Sequence, residues 1–245
     1  MDVHLFEGHP HSIRYCDFQA TMPLITHPSL AGRLIPRSAF LEHSASIGTP
    51  FDKLVVGVAI THPLVSATKP LQILVVQRAA HEKVYPGFYE LPGGSALASP
   101  LPLCGLMDCL SNVEDSDKTI LDAAVREAAE ETGLIVSNIV GEIQPFEYSI
   151  EKILAAEKGG IPTAIVRTTI QLNFVAQIAP FGSTDVIEVT LNPEEHQKYA
   201  WVSKENLGEY KMTPAMTGVV TDALVWTEQN FGKFNGDVVI SKEVE

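Results

Sequence analysis

The chain is poor in positive charge: 17 Lys and Arg stand against 30 Asp and Glu, a formal net charge of −13 at pH 7. No run of Lys or Arg offers a footprint for a phosphate backbone, so nucleic acid is not an expected partner. Phosphorylated small molecules stay open, because a few cationic groups can meet their charge locally. Cysteine is scarce as well. Cys16, Cys104 and Cys109 are odd in number and lack paired metal spacing, which argues against a disulfide framework and for reduced thiols. No apolar run approaches the roughly 18 residues of a membrane span, and no apolar h-region follows a basic N-terminus. A membrane partner is therefore not expected, and the expected location is the cytosol, with the nucleus as the alternative. Repeats and low-complexity tracts are missing too. What remains, 45% hydrophobic and 19% charged over 245 residues, can bury a sizeable core as one large domain or a core with an extension.

Near the middle lies REAAEETGL (126–134). Glu127, Glu130 and Glu131 stand at i, i+3 and i+4, so a helix would raise them on one side within about one turn. Like charges so placed repel, at roughly 0.2–0.5 kcal/mol per pair, and a hard cation such as Mg²⁺ or Mn²⁺ would relieve the repulsion. Leu121, Ala124, Val125 and Ala128 fall on a separate stripe that can pack inward and leave the acids facing a cleft. Asp115, Ser116 and Asp117 are N-cap candidates, and Gly133 is placed as the C′ residue. A solvated acidic face is the alternative reading. Upstream, PGFYELPGG (86–94) follows the β-rich run LQILVVQRA (71–79). A strand, a Gly-rich turn and an acidic helix are what backbone N–H groups and a metal need to meet the same phosphates.

These residues resemble the Nudix hydrolase family, whose signature is G-x5-E-x7-R-E-U-x-E-E-x-G-U, with U a bulky aliphatic. Gly94, Arg126, Glu127, Glu130, Glu131, Gly133 and Leu134 fit it by type and order, and Ala128 takes an aliphatic position where a larger side chain is usual. LNPEEHQKYAWVSKENL (191–207) looks like the family's closing strand and following loop, so the resemblance spans roughly residues 53 to 230. It implies an α/β (α+β) fold, a mixed sheet sandwiched between helices, here with an N-terminal extension.

Two departures stand out. Thirty-one residues separate Gly94 from Arg126, and Lys118 occupies the position of the first signature glutamate, with Asp117 and Glu114 the nearest acids. The excess is localised. Without SALASPLPLCGLMDCLS (95–111) the join approaches a normal box, so the segment reads as a translated intron or unusual splice form, or else a family-specific loop. The domain reading is thus an extension over 1–50, a hydrolase domain over 51–235 with an inserted loop at 95–111, and a tail over 236–245.

Residues 1–50 show no sustained period, apart from a short helix expected around Ser38–His43. Five of the eight histidines lie there (His4, His9, His11, His27, His43), without a known ligand spacing; surface and turn histidines are the reading. KLVVGVAIT (53–61) and LQILVVQRA (71–79) read as strands. LIVSNIVGEI (134–143), TAIVRTTIQLNFVAQIA (163–179) and a short piece at 187–191 follow as further strands. MTPAMTGVVTDALVWTEQNFG (212–232) carries helical spacing at Met216, Val219, Val220, Ala223, Leu224 and Phe231.

The resemblance implies a Mg²⁺-dependent hydrolase that cleaves the diphosphate linkage of a nucleoside diphosphate derivative by a metal-activated water, with Mn²⁺ a possible substitute. Glu127, Glu130 and Glu131 would be metal ligands, and Glu127 alternatively the base. In the family Arg126 holds a glutamate; as a plain helix residue it would pair with Glu130 or Asp122. Gly93 and Gly94 would bring backbone groups to the site, or simply make a tight turn. Arg78 could meet a phosphate or form a salt bridge, and Phe88 and Tyr89 could stack on a base or pack in the core. Glu194, Glu195 and His196 read as a turn or helical cap, with an outer base as the alternative. Met212 and Met216 read as helix packing. Pro145 and Tyr148 stand slightly off the family's markers for ADP-ribose and dinucleoside polyphosphates. The expected partner is a small nucleotide, and the expected state a monomer or homodimer. Other readings are a Nudix-fold binding or regulatory protein impaired by Lys118 and the insertion, and an acidic protein-interaction domain.

Overall fold

The computed structural model describes residues 24–63, 70–94, 117–154, 163–178 and 187–230. The three cysteines, Glu114, Phe231, the 95–111 segment, the 236–245 tail and the histidines before residue 24 lie outside them. Their assignments carry no structural description.

Seven strands form one mixed sheet: β1 (Ile25–Thr26), β2 (Lys53–Thr61), β3 (Ile73–Arg78), β4 (Tyr89–Glu90), β5 (Val136–Leu154), β6 (Thr163–Ile178) and β7 (His196–Val202). Their order is β1-β5-β6-β2-β3-β4, and β7 pairs with β3. The parallel β2–β6 pair runs from Lys53↔Thr169 to Thr61↔Gln177. Its strands are near-continuous runs of β-branched and apolar residues, as strands covered on both faces must be. Alternation divides them between two cores. Leu54, Val56, Val58 and Ile60 of β2, with Leu172 and Phe174 of β6, face α2 (Ile120–Thr132), whose Leu121, Ala124, Val125 and Ala128 are buried there. Ala59, Ile73, Val75 and Val175 face α3 (Pro214–Asn230) through Met216, Val219, Val220, Ala223 and Leu224. Helices thus cover both faces, the α/β sandwich expected. Among the described residues, no helix is long and apolar enough to cross a membrane.

Among the described residues, the β2–β3 ladder is registered at Thr61↔Ile73, and the two strands then diverge. The gap is filled by the Pro92–Gly94 backbone, whose carbonyls at Pro92 and Gly94 accept from Val58 N–H (2.8 Å) and Val56 N–H (2.9 Å). This wedge carries the glycine turn into the middle of the sheet.

Several expectations need correction. Residues 187–191 form no strand: Thr190 N–H donates to the Thr132 carbonyl and Asn192 N–H to that of Glu131, so the segment ties down the end of α2 instead of joining a ladder. The strand expected at 134–143 runs on to Leu154, through register shifts between Val136 and Asn138, Ile139 and Gly141, and Ile143 and Phe146, against β6. The N-cap of α2 is Thr119, not Asp115, Ser116 or Asp117. Thr119 and Asp122 form a reciprocal capping box: Asp122 N–H donates to Thr119 Oγ1 (3.2 Å) and Thr119 N–H to Asp122 Oδ2 (2.9 Å). Gly133 ends the helix at φ 68°, as expected of a C′ glycine.

Residues before β2 are also organised. β1 pairs in parallel with β5 through Ile25↔Asn138 and Thr26↔Ile139. A 3₁₀ turn (Pro28–Arg33) follows, and the Arg33 guanidinium forks onto Glu142 with two 2.8 Å bonds. α1 (Arg37–Ser46) contains the short helix expected around Ser38–His43.

Replacing Thr119 with Ala removes the reciprocal cap. We predict a loss of about 1 kcal/mol in denaturant unfolding; an unchanged midpoint would show that the box contributes nothing to α2.

Candidate active site

Glycine geometry places the site. Gly93 has φ 150°, and a Cβ there would run into the Val56 carbonyl oxygen and lie 2.9 Å from the Gly57 Cα. Only glycine permits this approach. Its N–H then points at α2 and donates to Glu131 Oε2 at 2.8 Å. Gly94 is pressed the same way: a side chain there would collide with the Glu127 carboxylate. The turn and the acids of α2 therefore fix each other's positions.

Arg126 organises the acids on the outer side. Its Nε and Nη2 fork onto Asp117 at 2.9 and 2.8 Å, Nη2 also donates to Glu127 Oε1 at 3.0 Å, and Nη1 reaches Glu130 Oε2 at 2.9 Å. The bidentate pair is the strong, geometrically specific kind. Asp117, whose side chain is only 7% exposed, thus occupies the clamp of the arginine one residue before Lys118. Of the helical partners expected for Arg126, Glu130 is found, whereas Asp122 is engaged in the capping box. The hydrogen bonds that Arg126 donates to Asp117 are the main cause that raises the Arg126 pKa, against the opposing effect of burial.

The three box acids differ. Glu131 is 4% exposed. Glu127 is largely covered, and Glu130 faces solvent with 52% of its side chain exposed. Burial pushes the Glu127 carboxyl up to about 7, partly opposed by Arg126. Burial also pushes Glu131 well up, against the Gly93 N–H; the charges of Glu127, Glu195 and Glu90 add to the rise. Four carboxylates thus repel across one small region.

β7 brings the remaining groups. Donor atoms of Glu131, Glu195 and His196 all lie within 4.8 Å of one another. His196 is buried, its Nε2 lies 3.5 Å from Glu90 Oε1, and its Nδ1 has no hydrogen-bond partner among the described residues. A buried carboxylate and an exposed one, beside an orphaned imidazole nitrogen, are a donor set suited to a divalent cation. NPEEH is therefore more than a turn cap, because Glu195 and His196 join the acids of α2. No periodicity connects residues 131 and 196, and the signal available in the sequence was the pairing of an acid with a histidine at the start of a strand.

Other candidates lie further out. Arg78 is a salt-bridging residue: it donates to Glu90 at 2.8 Å, Glu82 at 2.9 Å and the Val84 carbonyl at 2.7 Å. It thereby fixes Glu90 beside His196. Phe88 lies under the Lys211 ammonium at 4.2 Å and against Tyr85 at 5.4 Å, and Tyr89 packs edge-on with Tyr210 at 5.1 Å. Met212 and Met216 pack in the second core. Pro145 lines an open cavity of about 660 Å³ with Arg33, Glu142 and Trp226. His27 caps the 3₁₀ turn by accepting from Ser29 N–H.

A family model described as NUDIX domain matches residues 54–223. No curated protein matches the chain. Among solved structures, the chain is similar to a MutT protein from Methanosarcina mazei Go1, with 20% identity, a TM-score of 0.41 and coverage of 74% of this chain and 96% of that one. It is also similar to a C. elegans Ap4A hydrolase (16%, TM-score 0.42, 72% and 98%). A third is the NUDIX domain of Shewanella oneidensis NrtR, solved with ADP ribose (13%, TM-score 0.38, 76% and 96%).

The electrostatics give a pH signature. A carboxyl whose folded pKa, about 7 for Glu127, lies above its ordinary 4.5 binds more protons folded than unfolded, so its burial weakens the fold as pH rises between those values. We predict that, in chelator, Glu127→Gln gains stability relative to the unsubstituted chain as pH rises from about 4.5 to about 7, by up to about 3 kcal/mol. A difference that stays flat over this window in thermal melts would contradict the burial of that charge.

Proposed function

This chain belongs to the NUDIX family, and we propose that it is a Mg²⁺-dependent hydrolase of a diphosphate linkage in a nucleoside diphosphate derivative. The observation that carries the reading is the buried Glu131, held by the Gly93 N–H and converging with Glu127, Glu195 and His196. Such a cluster is unstable as a set of free anions and becomes favourable around a cation.

In this reading Glu127 and Glu131 hold the ion, with Glu130 at the exposed rim and Glu195 and His196 at the β7 side. When bound, Mg²⁺, or Mn²⁺ in its place, neutralises phosphoryl oxygens and lowers the pKa of water. The chain's own groups do the rest. Arg126 is a positioning residue: four of its five N–H donors are spent on Asp117, Glu127 and Glu130. Asp117 takes the part that the signature gives to its first glutamate, so Lys118 leaves the clamp complete. Gly93 and Gly94 let the backbone lie against the carboxylates, where a side chain would exclude the phosphates. Glu127 is alternatively the base that accepts a proton from the attacking water, in which case Glu131 holds the ion without it. Arg78 acts through Glu90, orienting the wall next to His196.

The substrate class is kept general, since Pro145 and Tyr148 stand off the family's subclass markers. The partner proposed is a small nucleotide met by a monomer or homodimer in the cytosol.

The test is incubation of the full-length chain with Mg²⁺ and a panel of nucleoside diphosphate derivatives, with phosphate or pyrophosphate release measured. Glu131→Gln is expected to lower kcat at least about 100-fold while thermal melting shows a folded chain. No release from a folded unsubstituted chain, with nucleotide still bound, would favour a binding or regulatory module over a hydrolase.

A further inference from the structure

Two cations beside the box helix have no role in the site described above. Arg37 opens α1 and Lys53 opens β2, both before the segment matched by the family model, which begins at residue 54. α1 packs on β2, and the chain just before it is fastened to the box helix: Ile120 N–H donates to the Ile35 carbonyl at 3.0 Å. Arg37 is thereby brought to the side of the sheet where Glu127 lies.

Among the described residues, neither cation is paired. Arg37 Nε is buried and has no hydrogen-bond partner, and none of the ion pairs among the described residues includes Arg37 or Lys53. Yet the two sense each other: burial and then the Arg37 charge lower the Lys53 pKa, while Glu127 acts in the opposite direction. The acids nearby are occupied. Asp117 and Glu127 are bound by Arg126, and Asp52 accepts the Thr168 N–H at 2.7 Å. A buried, unsatisfied arginine donor within the field of a second cation suits an anion.

We propose that Arg37 and Lys53 form an anion site that takes a phosphoryl group of the substrate lying beyond the one gathered at the carboxylates. The proposal rests on the hydrolase reading for what the anion belongs to, and on the two unpaired cations for its place. An arginine fork and a lysine ammonium suit the oxygens of a terminal phosphate. The chain would then favour substrates with a longer phosphate tail over those with a bare diphosphate.

The experiment is calorimetric titration of the full-length chain with inorganic tripolyphosphate in chelator, so that neither metal nor turnover enters. Arg37→Gln and Lys53→Gln are each expected to weaken binding about tenfold, and Arg37→Lys by less, because a charge-assisted bond is lost in the first two. Lys53 is exposed, so its variant tests the site even if Arg37→Gln unfolds. With Mg²⁺ present, the same variants should raise KM for a nucleoside triphosphate about tenfold and leave kcat within about twofold. No tripolyphosphate binding by the unsubstituted chain, or equal binding by both Gln variants, would overturn the proposal. Binding through these residues in a chain that hydrolyses nothing would instead keep the anion site and remove the hydrolase.

Discussion

Two carboxylates, Glu127 and Glu131, are covered beside other acids, and much of the surrounding structure holds them there. An isolated buried carboxylate gives up its proton reluctantly, and a second one nearby makes matters worse. Here Glu127 and Glu131 are both pushed upward by burial, and Glu195 adds its charge to each. Among the described residues, the hydrogen bonds that oppose this come from Arg126 at Glu127 and the Gly93 N–H at Glu131. Neither is enough to restore an ordinary carboxylate. The residual repulsion makes the cluster receptive to a cation.

The fold can be read as the set of constraints that keep this cluster in place. β2 and β3 diverge, so that the Pro92–Gly94 backbone enters the sheet and presents an N–H to α2. Packing of Leu121, Ala124, Val125 and Ala128 on the sheet sets the rotation of α2, and with it the direction of Glu127 and Glu131. A larger residue at 128, usual in the signature, is replaced by a fully buried Ala128. The end of α2 is fastened by the 187–192 segment, which bonds to the carbonyls of Glu131 and Thr132. That tie leads directly into Glu195 and His196. Residues before β2 contribute as well, since Ile35 anchors the start of the same helix.

Much of this was legible in the sequence. The apolar stripe of α2, its C′ Gly133, the β-branched runs of β2, β3 and β6, and the spacing of α3 all rest on local periods, and the structure follows them. The misreadings have specific physical causes. Asp117 resembles a cap but is held by Arg126, leaving the cap to Thr119. Ile187 and Val189 are apolar because they pack on the core, without a ladder to join. β1 is two residues long and has no period to detect. Glu195 and His196 meet Glu131 through the pairing of β7 with β3 and the bonds of the preceding segment to the end of α2, contacts that no local pattern encodes. The unpaired state of Arg37 is likewise a tertiary fact, since a sequence shows which charges exist but not which remain unanswered.

The claim that buried acids converge to hold a divalent cation is tested most directly by titrating the full-length chain with Mn²⁺ at neutral pH and following the free ion by electron paramagnetic resonance. The account predicts saturable binding that is lost when Glu127 and Glu131 are both replaced by Gln in a chain that still melts cooperatively. Absence of binding to the folded unsubstituted chain, or binding unchanged by the double replacement, would contradict it.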